Sequence, residues 1–185
     1  LPLLDKSVCL YMKHLRRTDG GWEEGLGYWN YGMRYGLMYL LSVEAATGRA
    51  HPMMKQAATR KSLRFPLDFS PHGRAAGFND ANSWTPMAIH LAAAERVKDG
   101  ETSAELMRLM NSVALPQSGW GAAAEILMLH PRQRPMGLRR RESVVQLYRG
   151  LDWACLADRM PEPRLYCSIR GGSSAVPHGQ RDISS

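Results

Sequence analysis

With 185 residues, 44% of them hydrophobic and 22% charged, the chain has a globular composition and room for one sizeable core, which excludes a disordered or low-complexity polypeptide. No apolar run approaches the roughly 18 residues that a membrane-spanning helix needs, so membrane insertion is not expected, and the opening Leu1-Pro2-Leu3-Leu4-Asp5-Lys6 lacks the order of a signal peptide. The net charge of +7 is uneven, because Arg132, Arg134, Arg139, Arg140 and Arg141 crowd between His130 and Glu142; such a run suits an anionic partner (acidic polysaccharide, nucleic acid or lipid headgroups) or a solvated linker between domains.

In chain order, Leu4, Val8, Tyr11 and Leu15 recur at helical spacing until Arg16-Arg17-Thr18-Asp19-Gly20-Gly21 ends the pattern. A second helix is expected from Tyr28 to Ala46, closed by Thr47-Gly48. Tyr28, Tyr31, Tyr35 and Tyr39 share one narrow face of it, and Trp29, Met33, Leu37 and Leu40 cover other sides, so the helix should pack on several neighbours. For Tyr35 and Tyr39 the expectation is a core stripe. His51 to Ser62 reads as a short helix opened by Pro52, and Leu63 to Asn82, with Pro66, Pro71, Gly73 and Gly77, as a long irregular connection. Thr85-Pro86 should start a helix reaching Val97, with Asp99-Gly100 as its stop; further helices should follow Thr102 and Gly119.

At about residue 141 the period changes. Val144 to Arg149, Leu151 to Ala157 and Arg164 to Ile169 are short β-rich runs separated by turn residues, and helices followed by strands predict an α+β protein. Cys9, Cys155 and Cys167 have no CxxC spacing and leave an odd one over, so neither a disulfide framework nor a zinc ribbon is expected; all three read as small buried apolar residues.

Two stretches carry chemistry. The first, Asp19-Gly20-Gly21-Trp22-Glu23-Glu24-Gly25-Leu26-Gly27-Tyr28-Trp29-Asn30-Tyr31-Gly32, is a glycine-rich turn loaded with carboxylates that runs into a tyrosine-bearing helix. The second is Gly171-Gly172-Ser173-Ser174-Ala175-Val176-Pro177-His178-Gly179-Gln180-Arg181-Asp182. In this order they resemble the signature segments of the heparinase II/III-like polysaccharide lyases. The resemblance implies an incomplete (α/α) toroid of helix hairpins, here residues 1–140, followed by the first antiparallel strands of a β-sandwich domain, residues 141–185. On that reading the chain is a fragment of a longer, periplasmic or secreted enzyme.

The implied reaction is β-elimination on a uronate-containing acidic glycan, which needs a base for the C5 proton, an acid for the O4 leaving group and a group to neutralise the carboxylate. The resemblance assigns the acid and base to Tyr28 and His178, with Tyr31 as the second choice of phenol. Independently, a phenol can both take and give a proton, and a helix N-terminus favours its anionic form. Gly25 and Gly27 would let a sugar approach the backbone. Trp22, Trp29 and Trp84 are candidates for stacking on sugar rings, and Glu24 for binding hydroxyls or fixing the turn. His72, Asn79, Asp80 and Asn82, on the long connection, are further candidates to line the cleft.

Two departures stand out. Gln180 replaces a histidine that the resemblance ties to a structural metal; glutamine is a poor zinc ligand, so no metal or other cofactor is expected. The family's substrate-binding Asn-His pair is absent. A catalytically degenerate glycan-binding protein on the same scaffold is therefore the alternative. Nucleic-acid binding rests on the arginine run alone, with no RNA- or DNA-binding motif to support it, and is not expected.

Overall fold

The computed structural model describes residues 2–79, 84–112, 122–129 and 137–172. Among them the chain is α+β. It forms α1 (Pro2–Arg17), α2 (Leu26–Thr47), α3 (Ala57–Asp68), α4 (Ala88–Arg96), α5 (Gly100–Ser112) and α6 (Ala122–Leu129), then β1 (Arg141–Tyr148), β2 (Trp153–Met160) and β3 (Tyr166–Arg170). Short 3₁₀ turns at Pro52–Lys55 and Pro71–Gly73 flank α3.

The switch from helix to strand falls at residue 141, as expected from the change of period. The three strands form an antiparallel meander in the order β1-β2-β3, with Val145 opposite Leu156 and Leu156 opposite Cys167. Alternation sends Val144, Tyr148, Trp153 and Cys155 inward. Val145, Leu147, Leu156, Cys167 and Ile169 face solvent. Cys155 is thus buried as expected, whereas Cys167 is exposed because it takes an outward position on β3, and Cys9 is half-buried.

Several helix boundaries differ from the expectations. The stretch His51 to Ser62 is not one helix: Pro52–Lys55 is 3₁₀, Gln56 is extended, and α3 begins afresh at Ala57. That helix then runs six residues into the segment expected to be irregular and carries Pro66 in its last turn. Proline costs a hydrogen bond there, but Leu63, Phe65, Pro66 and Leu67 are all buried, and their packing outweighs the loss. No helix starts at Thr85-Pro86. Residues 84–87 lack regular structure, and α4 starts at Ala88, where His90 Nδ1 accepts the Met87 N–H at 3.3 Å. Asp99, expected to close α4, instead opens α5 by accepting the Thr102 N–H at 3.1 Å.

The second helix starts at Leu26, two residues early, and ends as expected with Gly48 in the left-handed region at φ 69°. It is not packed all round. Leu26, Trp29, Met33, Leu37 and Leu40 form its buried face, while Tyr28, Tyr31 and Tyr35 are 47%, 67% and 53% exposed. Tyr35 is therefore no core residue, and Tyr39 is half-buried with its hydroxyl donating to Asp5 at 3.0 Å.

One core joins helices and sheet. Phe65 and Phe69 at the end of α3 meet Tyr148 and Trp153 of the sheet with ring centroids 5.0–5.7 Å apart. Beside this cluster the fully buried Asp68 accepts hydrogen bonds from the Tyr148 hydroxyl at 2.9 Å, Arg64 Nε at 3.3 Å and Arg141 Nη2 at 3.2 Å. Arg64 also reaches Glu105 on α5. Burial works against the Arg64 charge, but Asp68 and Glu105 more than offset it and hold its pKa above the usual arginine value. The Tyr148 phenol is pushed well up by burial and then by Asp68.

Candidate functional site

The turn from Thr18 to Gly25 is braced on three sides. Gly20 N–H bonds Leu15 O at 2.7 Å and the Thr18 hydroxyl donates to Gly21 O at 2.7 Å, which closes α1 on itself. Asp19, at φ 56°, accepts from Lys61 Nζ of α3 at 2.6 Å and from the Arg149 N–H of the β1–β2 turn at 3.3 Å. A Cβ on Gly20 would lie 2.9 Å from Ser62 N, one on Gly21 would collide with Leu151, and one on Gly150 would collide with the Arg17 backbone. Gly20 and Gly21 are therefore needed for close packing between α1, α3 and the hairpin. Gly25, at φ 100°, then turns the chain into α2.

The side chains of this turn largely hold one another. Trp22 Nε1 donates to Glu24 Oε2 at 3.0 Å, and its ring packs on Tyr11 at 4.7 Å and His14 at 5.1 Å. Glu23 lies 3.0 Å from His14 Nε2. The Trp22 bond ties Glu24 to its own turn. Trp29 is fully buried, donates to Ser62 Oγ at 2.8 Å and packs on His90 at 5.0 Å, so it offers no ring face to a sugar. Trp84 is also buried, and its indole N–H has no partner among the described residues. Of the predicted stacking residues, only the half-buried Trp22 is open to solvent.

What α2 presents outward is the row Tyr28, Tyr31 and Tyr35. Tyr28 is its third residue, inside the first turn, and the rings of Tyr31 and Tyr35 meet edge to face at 5.1 Å. Below this row lies a group that sequence reading missed. Arg34 pairs with the buried Glu125 of α6, its Nε at 2.7 Å, and stands 5.8 Å from the Tyr35 ring centre. Asn30 Oδ1 and His90 Nε2 are buried without a hydrogen-bond partner among the described residues. Burial and then Arg34 depress the His90 pKa to about 3, so the ring is neutral, with its proton on the unpartnered Nε2 because Nδ1 accepts the Met87 N–H. The available signal was the i, i+4 spacing of Asn30 and Arg34 beside the tyrosines.

The end of β3 returns to this turn. Arg170 Nη1 donates to Asn79 Oδ1 at 2.7 Å, and Asn79 Nδ2 donates to the backbone carbonyl of Glu23. Ser168 Oγ donates to Ala76 O at 2.8 Å. Asn79, from the long connection, is thus a tie between the two motif-bearing regions. His72 Nε2 donates to Pro163 O at 2.9 Å and has a role in holding the β2–β3 turn. His178, Gln180, Asp80, Asn82, Arg132 and Arg134 lie outside the described residues.

Asp5, Cys9 and His51 bring three potential metal-ligand atoms within 4.8 Å of one another. His51 Nδ1 accepts the Met53 N–H, which places the ring proton on Nε2, facing Asp5 Oδ1 at 3.1 Å. Tyr39 donates to the same carboxylate oxygen, and the Asp5 pKa is lowered by His51 first and Tyr39 next. The geometry is that of a hydrogen-bonded clasp holding α1, α2 and the Pro52–Lys55 turn together, with the imidazole offering a proton rather than a lone pair. No family profile, no curated protein and no solved structure matches this chain.

Proposed function

We propose that the chain is part of a polysaccharide lyase that cleaves a uronate-containing acidic glycan by β-elimination. Tyr28 and His178 are the acid–base pair: one takes the C5 proton, the C4–O4 bond breaks with its electron pair going to O4, and the other protonates that oxygen. The observation that carries the reading is the Arg170–Asn79–Glu23 tie, because it holds the residue preceding the second motif against the turn that opens the first. Six residues lie between Gly171 and His178 in the sequence, so the two can be at most roughly 25 Å apart. The exposed phenol row on a rigidly braced helix start adds to it.

The finer architecture belongs to the same proposal. Val145, Leu156 and Cys167 form one outward row across the sheet and Leu147, Ala154 and Ile169 a second, an apolar face of the kind that a second sheet covers in a β-sandwich. The helix pairs α1–α2 and α4–α5 fit hairpins of an incomplete toroid. The same reading assigns the protein to the periplasm or the outside of the cell. No described helix is long and apolar enough to cross a membrane.

The test is ultraviolet absorbance of the conjugated uronate product when the intact protein meets a panel of acidic polysaccharides, with Tyr28→Phe and His178→Ala beside it. Activity lost in both variants supports the assignment. Absence of product on alginate, heparan, chondroitin and hyaluronan refutes it. Gln180 favours a second reading, a glycan-binding protein without catalysis, for which saturable binding would survive Tyr28→Phe and no product would form.

A further inference from the structure

A cleft of about 730 Å³ opens on another part of the surface, between the Pro52–Lys55 turn, α3, the α4–α5 corner and β1. Seven cationic side chains line it, and four of them already meet carboxylates: Lys61 with Asp19, Arg64 with Asp68 and Glu105, Arg96 with Glu44, and Arg141 with Asp68. The other three, Lys55, Arg60 and Lys98, are exposed and have no carboxylate within ion-pair distance among the described residues. Arg60 donates to the Val97 carbonyl, which holds its guanidinium at the rim. A second hollow shares Gln56, Ala57 and Lys61 with the cleft and adds Arg16, whose Nε donates to Gln56.

Two features of the wall point to a ligand rather than to a merely solvated basic face. The first turn of α5 contributes Glu101 and Thr102 to the lining, so a helix N-terminus closes one end. Thr102 is 1% exposed, and its hydroxyl has no hydrogen-bond partner among the described residues. A buried hydroxyl left without a partner is costly, and a bound acceptor would remove that cost. Asp99 and Glu101 also stand on this wall; Asp99 is engaged by the Thr102 N–H, and Glu101 is exposed at the mouth.

We infer that this cleft is a binding site for a compact ligand bearing two or more tetrahedral oxyanions, phosphate or sulfate esters, held by Lys55, Arg60 and Lys98 at the rim and by Thr102 at the α5 N-terminus. A single carboxylate would leave most of the spread rim cations unmet, whereas several tetrahedral groups present acceptors in many directions. Arg141, the last residue of the arginine run, is fixed by Asp68 and brings that run to the edge of the site. The site uses neither Tyr28 nor His178, so it stands or falls independently of the lyase reading.

The experiment is titration calorimetry of the intact protein at roughly 0.15 M salt. Its arms are inorganic tripolyphosphate, a sulfated disaccharide and an unsulfated uronate tetrasaccharide. Binding of tripolyphosphate or of the sulfated disaccharide is expected, and which of the two is tighter assigns the source of the oxyanions. Arg60→Gln and Lys98→Gln should each weaken it roughly tenfold. Thr102→Val should weaken binding without lowering the melting temperature, since no internal hydrogen bond is lost. Arg164→Gln, on the β2–β3 turn, should bind as the wild type does. Absence of saturable binding, equal affinity for the unsulfated glycan, or unchanged affinity in the Arg60 and Lys98 variants would overturn the assignment.

Discussion

Replacing Asp68 by asparagine should unlock the helices from the sheet. The substitution keeps the shape of the side chain but removes a fully buried negative charge that faces two guanidiniums and a phenol. Breaking a buried ion pair costs about 3–5 kcal/mol. Here the lower end applies, because Glu105 still holds Arg64 and the Arg141 side chain is 25% exposed, so that water screens part of its charge. Tyr148→Phe removes one hydrogen bond to a charged acceptor and leaves both arginines paired, for about 1.5 kcal/mol. The two losses should fall short of additivity by roughly 1 kcal/mol, since the remaining tyrosine–amide bond in Asp68→Asn is neutral. The assay is urea unfolding followed by far-ultraviolet circular dichroism and tryptophan fluorescence together. With a slope of about 2 kcal/mol/M, Asp68→Asn should lower the midpoint by roughly 1.5 M. A shift worth less than about 1 kcal/mol would refute the charge argument. Two separated transitions in the wild type would refute the single shared core.

Three further outcomes follow from the same contacts. Gly150→Ala should destabilise by about 2 kcal/mol or more, because the added methyl meets the Arg17 backbone and the hairpin must lift from α1; a melting curve superimposable on the wild type would contradict that packing. His90 is neutral in the fold, with its pKa depressed to about 3 chiefly by burial, so its stabilising contribution is complete above the unfolded value near pH 6.5 and is lost as the pH falls toward 3. Stability should therefore decline through that window, by at most roughly 5 kcal/mol from this group, and His90→Phe should flatten the slope; an unchanged profile would remove His90 as the cause. Only Cys167 should react rapidly with a bulky thiol reagent in the native protein, while Cys155, buried and pushed up to about 12 chiefly by burial, should react only on unfolding; fast labelling of Cys155 would place β2 wrongly.

Element type was legible wherever a period ran unbroken: the first two helices and the three strands stand where spacing put them, within a few residues. The errors came from local signals with two meanings. Pro66 counted toward an irregular connection, yet in a last turn surrounded by buried side chains it is carried along in α3. Asp99-Gly100 reads as a stop and is a start, because the same short carboxylate caps an N-terminus. The Asp68 node could not be read as a whole: Arg64 stands one turn before it, but Arg141 and Tyr148 lie 73 and 80 residues away, and an i, i+4 pair at a helix end looks like a solvated one. Of the candidate site, Tyr28 and Tyr31 are exposed, but nothing local distinguished Trp22, open at the surface, from Trp29, sealed against Ser62.

The motif that first suggests a sugar site divides into two kinds of residue. Asp19, Gly20, Gly21 and Trp29 fix the turn against α3 and the hairpin, and Glu24 holds Trp22 within it. On the proposed reading, that leaves the tyrosines to meet the glycan. Among the phenols, burial raises the pKa of Tyr11, Tyr148 and Tyr166, which takes them out of proton transfer near neutral pH. The row Tyr28, Tyr31 and Tyr35 is open to solvent, begins within the first helical turn, and starts from a backbone that cannot shift without disturbing three neighbouring elements. A phenol acting as acid or base must be reachable by substrate and yet held within about half an ångström of its working position. In this chain rigidity is supplied by the turn and access by the outward face of α2, and Tyr28 is the tyrosine of the row nearest to where the two meet.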